Sequence, residues 1–338
     1  MKVVIMAGGK GSRFWPWSTE KKPKQFLSIY TNKSMLQETF ERFRTWLPIE
    51  KIFVVTVEEY QNQVIEQLPQ LPIEQIIVEP ERKDTAACIA LTALHFIEQG
   101  EDEVLAMCPA DQYISDENKL RETLLKAEEV AQEENTIVTL GITPTRPDTG
   151  YGYIRTFKGN EEIEARKVKE FIEKPSLKDA ERLLSCENVY WNSGIFIWKP
   201  STVAHYMGRF QEDLWNMLNS HHNNLKFVYS ILPKVSIDYA ILEKASSIYT
   251  IPATFEWDDL GTWKSLDRIF KPDNNENITI GNVNVMKANK CTIISEEYDV
   301  VAIGVSDLII VLTDEGLLVC HKAMEQEIKN ALISWKEK

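Results

Sequence analysis

Residues 6–18 read Met-Ala-Gly-Gly-Lys-Gly-Ser-Arg-Phe-Trp-Pro-Trp-Ser, "MAGGKGSRFWPWS", and they continue a run, residues 3–7, that is wholly apolar. A continuous apolar run of this length is the signature of a parallel strand buried on both faces. A glycine-rich turn that follows such a strand sets backbone N–H groups at the C-terminal edge of a sheet, where open α/β sheets take their ligands. Gly8, Gly9 and Gly11 suit that place because glycine permits positive φ and lets the backbone come close to an anion. Two familiar phosphate loops are excluded. A dinucleotide pattern started at Gly9 would need glycine where Phe14 stands, and the P-loop needs Ser or Thr directly after Lys10, where Gly11 stands. From Lys10 to Lys24 there are five cations (Lys10, Arg13, Lys21, Lys22, Lys24) against one anion, Glu20. A solvated basic loop is the plain alternative; glycines clustered after a buried first strand favour a polyphosphate cradle of another kind.

Outward from this stretch, the pattern predicts strands over 51–57, 74–80, 104–111 and 136–143, with helical segments between them. Ser34 and Gln37 have capping-box spacing ahead of the first helix, and Asp84 or Thr85 is expected to cap the helix that runs to about Gln99. Strand and helix alternate at βαβ spacing, which calls for an α/β fold: a Rossmann-like, mostly parallel sheet with helices on both faces. From about 150 the alternation loosens. Strand-like YGYIRTF, KVKEFIEKP and WNSGIFIWK are accompanied by helices at 176–187 and after Pro200. The polar break KPDNNENITIGN, 271–282, is the expected boundary between a larger α/β domain, 1–270, and a C-terminal β segment, 283–338. That segment reads as a small β module or short β-helix with a terminal helix from about Met324.

Composition narrows the function. The 338 residues carry 38 basic against 51 acidic side chains, a net charge of −13, so a general nucleic-acid partner is excluded by repulsion from the phosphate backbone. An anionic ligand must then be held by a local basic cluster. No apolar stretch approaches the ~18–20 residues that span a bilayer, the opening run is too short for a signal peptide, and no membrane partner is expected. The five scattered cysteines lack CxxC spacing, as buried thiols of a reducing compartment would; the cytoplasm is the expected location. The histidines lack ligand spacing. His95 reads as a core residue, and His221 and His222 as surface residues.

The motifs, taken together, resemble one family. "AGGKGSRFWPWS" and "PKQFL" look like the signature of the sugar-nucleotide pyrophosphorylases, and the Trp-Pro version is similar to mannose-1-phosphate guanylyltransferases. "EPERKDTAA", "PADQYI", "TGYGYI", "FIEKP", "WNSGIFIW" and "WDDLGTW" continue it in the family's order. The resemblance implies a nucleotidyltransferase (GT-A-like) fold and formation of GDP-mannose and diphosphate from GTP and mannose 1-phosphate, with Mg²⁺ as cofactor. A related enzyme with another base or sugar, or a non-catalytic subunit of the same fold, is the alternative. A homodimer through the C-terminal segment is a further expectation.

It also implies roles. The nucleotide is expected at Ala7, Gly8, Gly9, Lys10, Gly11, Ser12 and Arg13, with Lys24, Glu79, Asp84, Thr85, Pro109 and Asp111. Arg13 and Lys24 would neutralise the triphosphate, and Glu79 or Asp84 would accept from guanine N1–H and N2–H₂. Asp111 and Asp259 would be the metal ligands, with Asp258 beside them simply a surface residue. Gln112 departs from the family's usual His, with an effect expected on fine positioning. The sugar phosphate is expected at Gly150, Tyr151, Gly152, Glu173, Lys174 and Asn192, with Lys174 on the phosphate and Glu173 on sugar hydroxyls. Glu173 and Lys174 could share a direction only where their strand ends, as Pro175 suggests. Trp191 and Trp198 read as core, and Trp15-Pro16-Trp17 as packing that holds the loop.

Overall fold

The computed structural model describes residues 1–157, 165–220 and 224–336, so His221 and His222 lie outside the described residues. The apolar run of the sequence becomes β1 (Lys2–Met6), and the α/β half follows the expected order. β2 (Ile52–Val57), β3 (Ile76–Glu79) and β4 (Leu105–Pro109) join β1 in the parallel order β3-β2-β1-β4. Helices α1 (Met35–Arg44), α2 (Gln61–Gln67), α3 (Asp84–Glu98) and α4 (Glu117–Ala131) fall between or after these strands. Ser34 Oγ accepts from Gln37 N at 3.1 Å and Gln37 Oε1 accepts from Ser34 N at 2.9 Å, the capping box the spacing predicts. The helix at α3 is different. Lys83 at the N-cap makes no side-chain bond to it, Asp84 has a φ of 67° and its Oδ1 accepts from Thr85 N at 2.8 Å, and Thr85 Oγ1 accepts from Ile237 N at 2.8 Å.

Beyond β4 the sheet becomes mixed. With β5 (Tyr113–Ile114) a separate two-residue strand, the order continues β4-β9-β6-β10-β8-β7 through β6 (Ile137–Ile142), β7 (Tyr153–Thr156), β8 (Arg166–Ile172), β9 (Val189–Trp198) and β10 (Ile248–Ala253). β9 is antiparallel to β4, β6 and β7, while β10 and β6 are parallel. A parallel crossover needs a connection of a dozen or more residues, and fewer than that link Thr156 to Arg166. β7 and β8 accordingly pair antiparallel.

Backbone contacts divide the chain into two units, residues 1–8, 39–110 and 114–257 in one, residues 9–38, 111–113 and 258–338 in the other. The first holds the nine-stranded sheet. Its core packs the apolar side of α3 (Ala87, Leu91, Leu94) with Phe196, Trp198, Tyr206 and Tyr229, and Trp191 and Trp198 are buried as expected. Each such Leu or Phe contributes about 1.5–3 kcal/mol by leaving water.

The second unit contains the C-terminal strands, which follow the two-residue β11 (Trp257–Asp258): β12 (Ile278–Met286), β13 (Thr292–Ile303), β14 (Leu308–Thr313) and β15 (Gly316–His321). β12, β13 and β14 are parallel neighbours joined by short turns, a coil of the short β-helix kind, and β15 closes it antiparallel. The last helix (Ile328–Lys336) is preceded by a 3₁₀ stretch, Lys322–Glu327, where the sequence predicts helix from Met324. β12 begins inside the polar break. Phe14, Trp17 and Leu27 share one core with Trp263, Ile278, Ile294, Ile309 and Val311. The opening loop and the C-terminal strands are therefore parts of one compact unit, although the polar break separates them in the sequence. Among the described residues no helix is long and apolar enough to cross a membrane.

Candidate active site

Met6 at the end of β1 lies opposite Pro109 at the end of β4, so the segments that begin at Ala7 and Ala110 leave adjacent strand ends. Ala7 itself is still held by the sheet: its N–H donates to Val55 O at 2.8 Å and its carbonyl accepts from Thr56 Oγ1 at 2.9 Å. Both backbone groups are engaged there, so Ala7, expected to face phosphate, serves the sheet. Gly8 O accepts from Arg82 Nε at 3.1 Å, and the Arg82 guanidinium lies over the Tyr60 ring at 4.5 Å.

In the second unit the loop is held by its own neighbours. Gly11 has a φ of 59°, and a Cβ there would meet Lys24 N at 2.5 Å, so both conformation and space require glycine. Ser18 Oγ donates to Gly11 O, and Gln25 Nε2 donates to Gly9 O at 3.0 Å. Ser12 opens a short 3₁₀ turn with Arg13 and Phe14; its side chain lies outside what the structure describes. Trp17 stacks on Trp263 with ring centroids 6.2 Å apart and 12° between planes, and Phe14 meets the same indole at 4.8 Å. The tryptophans thus pack the loop, as the sequence reading has them.

Four of the expected residues come together around this loop. Lys24, 5% exposed, sets its Nζ 2.8 Å from Asp111 Oδ2 and donates to the carbonyls of Asp259 (2.5 Å) and Leu260 (3.2 Å). Arg13 Nη1 donates to Gly261 O at 3.3 Å. Asp259 Oδ1 accepts from Gly261 N at 2.9 Å, and a Cβ placed on Gly261 would touch both Asp259 Oδ2 (2.6 Å) and Arg13 Nη1 (3.0 Å). Two carboxylates and two cations therefore gather beside Gly11, where the loop carries no side chain. Lys10 is not among them; it is exposed and paired with Glu20 at 3.3 Å. Gln112 is buried beside Asp111 in sequence.

Asp258 needs correction. It is 4% exposed, its Oδ1 accepts from Leu260 N and from Arg268 Nη2 at 2.9 Å each, and Arg268 Nε contacts Oδ2. A buried carboxylate with these partners shapes the turn that presents Asp259.

A second set gathers in the first unit, around a cavity of about 500 Å³ lined by Asp84, Thr85, Glu173, Lys174, Asp238 and neighbours. β8 ends at Ile172, and Lys174 adopts a φ of 42°, which lets its Nζ contact the Glu173 carboxylate. The strand end expected from Pro175 is what brings the pair to one side. Gly152 leaves room for the Glu173 carboxylate: a Cβ there would lie 2.7 Å from its Oε2. Gly150 N donates to Asp148 Oδ1 at 2.9 Å. Tyr151 is placed otherwise than expected. It is buried, its hydroxyl accepts from Arg146 Nη2 at 2.9 Å, and its ring meets Trp191 and Trp257 edge-on. Asn192 donates from Nδ2 to Asp238 Oδ1 at 3.1 Å. Sequence reasoning missed Asp238; its only signal was an acid in the polar-apolar stretch SIDYAILEK.

Glu79 and Asp84, the two candidates for the base, differ in surroundings. Asp84 is exposed and lines the cavity with Lys174. Glu79 is 4% exposed, accepts from Tyr229 at 3.2 Å, and sits where a Cβ on Gly8 would be 3.7 Å from its Oε2. Burial pushes its carboxyl up to about 7, with Asp84 adding to the rise and the Cys88 thiol, Tyr229 and Arg82 opposing it. His95, read as core, is half-buried, and burial lowers its affinity for protons.

Known proteins share this arrangement of sequence and fold. Residues 2–276 match the model of the Nucleotidyl transferase family, and residues 281–333 match the MannoseP isomerase/GMP-like beta-helix domain. A mannose-1-phosphate guanylyltransferase of Klebsiella pneumoniae is 35% identical over 345 residues, covering 97% of this chain and 72% of that protein. The alginate biosynthesis protein AlgA of Pseudomonas aeruginosa is 31% identical, covering 98% of this chain and 71% of that protein. A crystal structure described as mannose-1-phosphate geranyltransferase of Thermus thermophilus superposes with a TM-score of 0.90 at 33% identity, over 99% of each chain. The chain belongs to the nucleotidyl transferase family, with that domain joined to a GMP-like β-helix domain.

Proposed function

We propose that this chain is a mannose-1-phosphate guanylyltransferase, which converts GTP and mannose 1-phosphate to GDP-mannose and diphosphate. The observation that carries the reading is the convergence of Arg13, Lys24, Asp111 and Asp259 on the glycine loop. The name of the relative at 35% identity supplies mannose 1-phosphate and the guanylyl group.

In the reaction an oxygen of the sugar phosphate forms a bond to the α-phosphorus of GTP as the bond to the β-phosphate oxygen breaks, and diphosphate leaves. The attacking phosphate has a second pKa near ~6 and is already dianionic at neutral pH, so no side chain need take a proton. Charge and position then do the work. Arg13 and Lys24 neutralise the triphosphate, the loop N–H groups beyond Ala7 bind its oxygens, and Lys174 orients the sugar phosphate while Glu173 accepts from the hexose. Among the described residues no three acidic, histidine or cysteine side chains form a metal-binding group. A donor set of two carboxylates fits Mg²⁺, which takes one or two protein carboxylates and completes its shell with water and phosphate oxygens. Asp111 and Asp259 would hold the ion, which supplies charge neutralisation on the triphosphate when bound. Both substrates are multiply charged and do not cross bilayers unaided, which supports a cytoplasmic setting. Val301, Ile303, Leu317 and Val319, each more than half exposed, support a homodimer through the β-helix.

Diphosphate release over a panel of nucleoside triphosphates and hexose 1-phosphates tests this reading. GTP with mannose 1-phosphate should be the best pair, and Arg13→Ala and Asp259→Ala should each lose about 10²–10³ in turnover while remaining folded. Near-normal turnover in either variant, or a clear preference for another pair, would overturn it.

A further inference from the structure

Asp238 opens a π-helical turn, Asp238–Leu242, and faces the same cavity as Glu173 and Lys174. Its surroundings fix what it can recognise. Asn192 Oδ1 accepts from Gly194 N at 3.2 Å, which sets the amide so that Nδ2 points to Asp238 Oδ1 at 3.1 Å. Asn192 N in turn donates to Gly152 O at 2.8 Å, and Gly152 is the residue whose missing side chain makes room for Glu173 Oε2. The cavity thus holds Asp238 within reach of the Glu173 charge, and Lys174, at the end of β8, acts on the same carboxyl, while Asp84 and Lys234 complete its charged lining. Burial together with the Glu173 charge pushes the Asp238 carboxyl up to about 6, so it is still largely ionised at neutral pH.

Two acceptors held side by side at the price of mutual repulsion call for a ligand rich in hydroxyl donors. A cation beside them calls for an anionic group on that same ligand. A hexose 1-phosphate has both. We propose that Asp238 is a specificity-determining residue of the sugar subsite, where its carboxylate accepts a ring hydroxyl of the hexose next to the hydroxyl taken by Glu173. This rests on the sugar-phosphate reading above. It reassigns Asn192, expected from sequence to touch the sugar, as the positioning residue that aims Asp238.

The test is a substrate–enzyme cycle with Asp238→Asn, which keeps an oxygen for Asn192 Nδ2 and removes the charge. The hydroxyl bond to a charged acceptor is worth about 10- to 100-fold in binding. The variant should raise the KM for mannose 1-phosphate by about that factor and leave the KM for GTP and kcat within about threefold. Across the monodeoxy analogues of mannose 1-phosphate, one should lose a similar factor with the wild-type chain and lose nothing further with the variant. An unchanged KM, or the same penalty on every analogue, would overturn the proposal. The same cycle run on whichever hexose 1-phosphate the wild-type chain prefers separates the two readings. A preference for another sugar, with the cycle intact on that sugar, overturns the guanylyltransferase reading and leaves Asp238 in its role. A wild-type chain that turns over no hexose 1-phosphate overturns both.

Discussion

Glu79→Gln isolates the cost of keeping a carboxylate inside the first unit. Gln retains the shape and can still accept from Tyr229, but it cannot ionise. The rise of Glu79 from the ordinary 4.5 to about 7 corresponds to about 3 kcal/mol at ~1.4 kcal/mol per pH unit. The sign follows from proton binding: the folded chain holds this proton more tightly than the unfolded chain does. The contribution is therefore complete below 4.5, is lost as pH rises through 7, and changes no further above it. The variant should match the wild-type chain near pH 5 and exceed it progressively, by up to about 3 kcal/mol, at pH 8 and above. Urea midpoints measured at half-unit steps from pH 5 to 8.5 read the difference. Parallel midpoint curves for the two chains would show that Glu79 ionises as it does in water, and the account of its burial would fail. The same variant bears on function. If Glu79 accepts from the guanine N–H donors, Gln should lose preference for GTP over ATP; an unchanged preference leaves Glu79 as an interior support beneath Gly8.

Gly11→Ala should reduce turnover and destabilise the chain by about 1–3 kcal/mol, because the methyl would lie 2.5 Å from Lys24 N in a backbone with φ 59°. Diphosphate release and denaturant midpoints measure the two effects, and a neutral variant would contradict the packing of loop on Lys24. Asp258→Ala should lower stability by about 1–2 kcal/mol, since it leaves the buried Leu260 N–H without its acceptor and removes the Arg268 pair. An unmoved midpoint would return Asp258 to the surface.

The α/β half was legible because its signals are local. The residues 3–7 run, the strand IFVVTV and the Ser34–Gln37 pair each state their structure within a few positions. The same holds for the strand end at Pro175, which turns Glu173 and Lys174 to one side. Tertiary partners were not legible. Asp258 and Asp259 are identical neighbours, and Arg268, ten positions on, is among the partners that hold the first in the interior. Asp238 depends on Asn192, a residue of a distant strand, for its place. The mixed half of the sheet was hidden for a similar reason, since β9 reads as an apolar run whichever way it is laid between β4 and β6. The glycine loop showed its chemistry in its composition, while the use of Ala7 by the sheet appears only once β1 and β2 are paired.

The core that Phe14 and Trp17 share with Ile294, Ile309 and Val311 has a consequence for the order in which the molecule is made. The loop is synthesised well before Trp263, Ile294, Ile309 and Val311, the apolar surface that must cover its aromatic side chains. Contacts of that sequence separation are slow to close, so until they form the nascent chain carries Phe14 and Trp17 uncovered next to the glycine loop. The sheet of the first unit can assemble in the meantime from strands already present. The bonds of Lys24 to the Asp259 and Leu260 carbonyls and of Arg13 to Gly261 O span a similar separation, so the loop takes on its full set of partners late.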